Sequence, residues 1–215
     1  MEEKFWLESW NQRKIGFHQR SVNAQLQRFW PELGLAAGDA VLVPLCGKSG
    51  DMRWIRSQGH PVLGVELSPL AVEAFFSESG VVPERRRQGG FEAYETGGIR
   101  LLCGNVFDLT AEDVVGVKAV YDRAALVALP PAMRESYAAH LADVLPSGTR
   151  MLLLTFDYPQ AQMEGPPFSV PASEVERLYG RRGDVRLLAS ESRTDEGLAA
   201  RGVKELREDA FIVSL

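Results

Sequence analysis

Short apolar runs alternate with amphipathic stretches, a glycine-bearing turn follows the first run, and a carboxylate closes the second. These three observations predict an α/β fold: a doubly wound, Rossmann-like seven-stranded sheet with its last strands antiparallel and a helical N-terminal extension. Residues 1–38 form the extension. Phe5, Trp6 and Trp10, with Leu7, mark one face of a short helix. The Ile15-Gly16-Phe17-His18 loop follows, and Ser21-Val22-Asn23 reads as the start of a second helix. Leu26, Phe29 and Trp30 form its apolar face before Pro31 interferes. Three of the four tryptophans fall here. They suit an apolar flap packed on the domain and, compatibly with that, a lid whose rings cover a flat or cationic ligand.

The chain from Ala40 to Pro69 organises the rest. Val41, Leu42, Val43 and Leu45 lack alternation, as expected of a strand buried on both faces. Leu45 to Gly50 is the turn, Asp51 to Gln58 a helix closed by Gly59, and Val62 to Glu66 the second strand. Glu66 lies about 20 residues beyond Gly47, where an acid can accept hydrogen bonds from a ribose diol. A dinucleotide fingerprint is absent, since no third glycine follows Gly47 and Gly50 at the required offset. A P-loop is rejected because Leu42 stands where its first glycine belongs. A loose turn plus a distal acid fits S-adenosylmethionine, which carries a ribose and no phosphate.

Ser68-Pro69 starts the next helix, with Pro69 at its first position and Gly80 and Pro83 beyond its end. Phe91 to Leu102 reads as a hairpin about Gly97-Gly98. In the loop after that strand, Asn105 or Val106 lies where an adenine base would meet backbone and an apolar side chain. Lys118 to Asp122 is a strand whose end, Asp122-Arg123, falls on the carboxyl edge where ligands collect. Pro130-Pro131 opens a helix carrying Met133, Tyr137 and Leu141. Arg150 to Phe156 is a buried strand, and 157–171 a proline- and glycine-rich loop near the site. Ala172 to Tyr179 is a helix, and Val185–Leu188 and Ala210–Val213 are the closing antiparallel strands.

Composition excludes several classes. Of 215 residues, 45% are apolar and 25% charged, ordinary for one globular domain spanning 1–215. A net charge of −5 argues against nucleic-acid binding by counterion release. No segment has the apolar length to span a bilayer, and the acidic, aromatic start is no signal peptide. Arg85-Arg86-Arg87 reads as a solvated face. Two cysteines make no disulfide framework, so a reducing cytoplasm is expected, with a monomer as the default. His18, His60 and His140 lack metal-ligand spacing, and no metal is expected. Cys46 reads as a small buried thiol, Asp51 as the cap of the helix after the turn, and Asp122 as a group fixing backbone or the Arg123 side chain.

Taken together, Trp10-x6-Gly16-Phe17-His18, Val43-Pro44-Leu45-Cys46-Gly47-Lys48-Ser49-x-Asp51, Gly64-x-Glu66-x-Ser68 and Tyr121-Asp122-Arg123 resemble the bacterial form of the thiopurine S-methyltransferase family over nearly the whole chain. The resemblance implies a class I methyltransferase fold and S-adenosylmethionine as cofactor. It implies cofactor contacts from Trp10, Leu45, Glu66, Asn105, Val106 and Arg123, and acceptor contacts from Phe17 and Arg123. Some relatives carry a second arginine near the acceptor. Gly197 aligns there, with Arg193 and Arg201 nearby as substitutes. The reaction implied is methyl transfer to a small aromatic or heterocyclic thiol. Methylation of tellurium or selenium species, as in tellurite resistance, and a non-catalytic adenosine-type binding protein stay open as alternatives.

Overall fold

A computed structural model of the chain describes residues 3–16, 18, 19 and 21–215. Among these lie seven α-helices: α1 (Glu3–Asn11), α2 (Ala24–Phe29), α3 (Asp51–Ser57), α4 (Pro69–Ser77), α5 (Pro131–Val144), α6 (Ala172–Tyr179) and α7 (Glu196–Ala200). The strands are β1 (Ala40–Pro44), β2 (Val62–Glu66), β3 (Glu84–Gln88), β4 (Phe91–Thr96), β5 (Ile99–Cys103), β6 (Val117–Arg123), β7 (Arg150–Asp157), β8 (Asp184–Ser192) and β9 (Arg207–Ser214). They form one sheet in the order β3-β4-β5-β2-β1-β6-β7-β9-β8. The five strands from β5 to β7 in that order are parallel, and β3, β4, β9 and β8 add antiparallel flanks. After β1 the chain first builds outward through β2 to β5, then returns to place β6 on the other side of β1. That reversal makes the crevice where doubly wound sheets bind ligands.

Alternate residues of the central strands feed two cores. Val41, Val43, Tyr121 and Leu152 pack under α2, α3 and α4 with Leu26, Met52, Ile55 and Phe75. Leu42, Leu63, Val120 and Leu153 pack on the other face with Tyr137, Leu141 and Val175 of α5 and α6. Each such aliphatic side chain contributes about 1.5–3 kcal/mol when fully buried, which is why the unalternating runs become central strands. Gly64, in the middle of β2, is required by close packing: a Cβ there would meet Cys46 Sγ at 2.8 Å and collide with Leu101.

The sheet has nine strands where seven were expected. The hairpin about Gly97-Gly98 forms as expected, Thr96 opposite Ile99. β3 is the addition: Arg85, Arg86 and Arg87 are exposed but pair in register with Tyr94, Ala93 and Glu92 of β4. An edge strand wet on both faces carries no apolar alternation, and its charges discourage further strand pairing. β8 and β9 are longer than the apolar cores that announced them, and α7 between them was not foreseen. Asp51 is a second correction. Gly50 holds the cap position of α3, and the Asp51 carboxylate makes tertiary bonds instead.

Candidate active site

The carboxyl ends of β1, β2, β5 and β6 open into a cavity of about 790 Å³, roofed on one side by α1. Trp10, Leu45, Glu66, Asn105, Val106 and Arg123 all line it. Phe17 lies outside the described residues. The first turn approaches the roof closely: Gly47 has φ 53°, and a Cβ on it would come within 3.3 Å of the Trp10 indole. Leu45 (φ 47°) and Ala124 (φ 62°) hold the left-handed backbone conformation without being glycine. Both border the cavity, where such strain commonly collects.

Glu66 ends β2 and is 6% exposed. Oε2 accepts from the Gly47 amide at 2.8 Å and Oε1 from the Ser68 amide at 2.7 Å. Burial pushes its pKa up, while the Ser68, Gly47 and Leu67 amides pull it down. A carboxylate offers about four lone-pair positions, so acceptor capacity remains on the cavity side. The backbone bonds fix the carboxylate's orientation before any ligand arrives.

Asn105 belongs to the loop after β5. Its Oδ1 accepts from the Phe107 amide at 3.0 Å and its Nδ2 donates to Glu3 Oε1 at 2.7 Å, tying that loop to α1. The Val106 carbonyl bonds His140 Nε2 at 3.0 Å, so His140 of α5 positions the same loop. His60 is structural, with Nδ1 2.9 Å from the Asp39 carbonyl and its ring against Trp30. His18 borders the cavity, and its pKa is lowered first by burial and then by the Lys48 ammonium. Lys48 is itself paired with Glu78 at 2.5 Å.

Arg123 is half-buried at the end of β6 and makes no hydrogen bond or ion pair among the described residues. Its neighbour Asp122 faces away from it. Fully buried, Asp122 accepts from the Leu126 amide at 3.0 Å and from the Tyr137 hydroxyl at 2.7 Å. It anchors backbone, as one of the two sequence readings had it, and does not hold Arg123. Burial raises its pKa to about 6. Cys46 is buried, and desolvation, then the Glu66 charge, push its pKa well up, so it is a protonated packing thiol.

Around Gly197 the C-terminal segment supplies two arginines of unequal availability. Arg193 pairs with Glu208 at 2.8 Å and Asp195 at 3.7 Å and lies over the Phe156 ring. Arg201 donates to the Pro166 carbonyl at 2.9 Å and is otherwise exposed. Sequence reasoning put the proline- and glycine-rich loop 157–171 near the site, and its Pro166 and Pro167 do line the cavity; it did not find the apolar wall of Val127, Ala128, Leu129 and Met133. The Ala124–Leu129 apolar run just before Pro130 was the available signal, too short for a helix and unassigned to any strand.

The comparisons with known proteins follow the same lines. A family model described as thiopurine S-methyltransferase matches residues 1–214. A thiopurine S-methyltransferase of Nitrosospira multiformis is 54% identical over 215 residues, covering 99% of this chain and 98% of its own. One of Azotobacter vinelandii is 49% identical, covering 98% of each chain. Among solved structures, a SAM-dependent methyltransferase of Methanosarcina mazei superposes with a TM-score of 0.66 at 13% identity, covering 90% of this chain and 98% of its own. A Burkholderia thailandensis N-methyltransferase solved with S-adenosylhomocysteine gives 0.62 at 15% identity, covering 99% and 87%. These two likenesses are of fold. The chain therefore belongs to the thiopurine S-methyltransferase family, and with it to the enzymes that take their methyl group from S-adenosylmethionine.

Proposed function

We propose that this chain, acting as one domain over residues 1–215 with 1–38 as its roof, binds S-adenosylmethionine in the cavity at the sheet's carboxyl rim and methylates the sulfur of a small aromatic or heterocyclic thiol. The observation that carries this is Glu66: a buried, backbone-oriented carboxylate at the end of β2 that borders the same cavity as Trp10 and Arg123. The cofactor fits the residues present. Glu66 has acceptor capacity for a ribose diol, Gly47 lacks the Cβ that would crowd the Trp10 indole closing over the turn, and the Asn105–Val106 loop is held for an adenine. When bound, the cofactor supplies an electrophilic methyl group on a cationic sulfur.

The chain's own contribution is alignment. Glu66 grips the sugar, and Trp10 offers a ring face to the cationic end, a contact of about 0.5–2 kcal/mol. Arg123, with no partner among the described residues, is the cation available for an anionic thiolate through charge-assisted hydrogen bonding. An acidic heteroaryl thiol needs no strong general base, and orientation alone can lower a barrier by several kcal/mol. The walls at Val127–Leu129 and Pro166–Pro167 suit a flat ring better than a small metalloid oxyanion. A monomer is the working state in this reading. A cytoplasmic location is the expectation that goes with two cysteines, too few for a disulfide framework. Among the described residues no helix is long and apolar enough to cross a membrane.

The test is calorimetry with S-adenosylhomocysteine followed by turnover on an aromatic thiol and on tellurite. Saturable binding with thiol turnover is expected. Absence of binding at saturating concentration sinks the enzyme reading, and tellurite turnover without thiol turnover sinks the acceptor assignment.

A further inference from the structure

One buried carboxylate joins the roof of the cavity to its floor. Asp51, in the first turn of α3, is 2% exposed. Its Oδ1 accepts at 2.9 Å from the Asn23 backbone amide, where the N-terminal extension enters α2. Its Oδ2 accepts at 3.0 Å from the Tyr121 hydroxyl on β6. Asn23 in turn caps α2 through Oδ1, at 2.9 Å from the Gln25 amide and 3.2 Å from that of Leu26. Its Nδ2 donates to Gln19 Oε1 at 3.2 Å. Gln19 and Tyr121 border the cavity on opposite sides of this link, and Asp51 itself does not border it.

We propose that Asp51 is a positioning residue for cofactor binding: it holds the extension in register over the cavity, so the roof meets the cofactor already ordered. This rests on reading the cavity as the S-adenosylmethionine site. A wall ordered beforehand leaves no ordering cost to be met on binding. Without the carboxylate, the Asn23 N–H and Tyr121 O–H are left buried with no acceptor, and the extension loses its tie to β6. Affinity falls, while alignment of the reacting atoms in a saturated site is unchanged because Asp51 touches neither of them. Asparagine can keep both links. Its oxygen accepts from the Asn23 amide and its NH2 donates to the tyrosine oxygen, which both donates and accepts.

The experiment measures S-adenosylhomocysteine affinity by calorimetry on the full chain, together with KM and kcat for thiol methylation. Asp51→Ala is expected to weaken binding about 10-fold or more and to raise the cofactor KM in step, with kcat at saturation within about twofold. Asp51→Asn is expected to stay within about threefold of the wild type. Should Asp51→Ala fail to fold, Asn23→Pro against Asn23→Ala isolates the same bond. The φ of Asn23, −65°, already suits a proline, which deletes the backbone donor together with the side-chain cap, whereas alanine loses the cap and keeps that donor. The proline variant is expected to bind about 10-fold more weakly than the alanine one. Wild-type protein that binds nothing overturns the cavity reading itself. Wild-type binding with Asp51→Ala unchanged, with kcat alone reduced, or with the two Asn23 variants equal, overturns this inference and leaves the cavity reading standing.

Discussion

Replacing Glu66 by alanine tests the sugar-binding geometry most directly. Two of the carboxylate's acceptor positions are already taken, by the Gly47 amide at 2.8 Å and the Ser68 amide at 2.7 Å. The remaining positions allow about two bonds to a ribose diol, each a charge-assisted bond gross of competition with water. Water re-entering the variant's cavity recovers part of that, so the net loss of affinity is about 1–3 kcal/mol, a factor of about 5 to 150 in Kd. The assay is a calorimetric double-mutant cycle with S-adenosylhomocysteine and its 2′-deoxy analogue against wild type and Glu66→Ala. The analogue should bind the wild type more weakly than the parent ligand, and the two should bind the variant alike. Far-UV circular dichroism and a thermal melt establish that the variant is folded; some loss of Tm is expected, because two backbone amides lose their acceptor. A folded variant that binds the parent ligand within about twofold of wild type, or that still discriminates the deoxy analogue fully, refutes the reasoning.

Three further predictions concern other groups. Arg123→Ala should lower kcat/KM for an anionic aromatic thiol by about 10- to 100-fold, the size of one charge-assisted bond, and much less for a thiol that stays neutral at the assay pH; equal losses for both would show that the guanidinium does not hold the anion. Burial holds the Asp122 carboxyl at about 6 in the fold against an ordinary aspartate value of 3.8, so the native state binds more protons than the unfolded chain between those values. Stability from this group is therefore greatest at low pH, falls as pH rises through about 4 to 6, and levels off above. The fall is about 2–3 kcal/mol. Asp122→Asn should lack that segment of the curve in denaturant titrations at stepped pH, and identical slopes would contradict it. Burial, with Glu66 as the next cause, pushes the Cys46 thiol well up and the Cys103 thiol to about 11. Native protein should therefore resist alkylation by iodoacetamide at pH 8 and react at both thiols once unfolded; prompt native labelling counts against that environment.

Much of the site was legible because its signals are local. The β1–turn–α3–β2 unit announced itself through an unalternating apolar run, two glycines and a terminal acid, all within thirty residues. Asn23 before Leu26 and Phe29 marked a helix start, and its side chain does cap α2. Gly97-Gly98 between alternating segments marked a hairpin turn, and the hairpin forms there with Thr96 opposite Ile99. Other features were not readable because their cause lies elsewhere in the chain. β3 is a strand only because β4 offers it a ladder; its own side chains, charged on both faces, say nothing about pairing. Its place on a helix left His140 either structural or solvated, and only the fold shows that it holds the Val106 carbonyl. Arg193 and Arg201 were equivalent by position and differ in the fold, because Glu208 comes back alongside one of them on β9.

The sequence by itself determined the class of fold and the end of the sheet where a nucleoside would bind. Hydrophobic periodicity, turn residues and an acid at a strand end act over one or two neighbouring elements, where spacing along the chain is spacing in space. The tertiary structure alone decided which polar groups stand ready for a ligand and which are already engaged. Asp51 and Asp122, both read as local anchors, are buried. The first ties the extension to β6, and the second is satisfied by α5 and the loop before it. A carboxylate's role depends on which donors surround it, and the Asp51 donors lie 28 and 70 residues away along the chain.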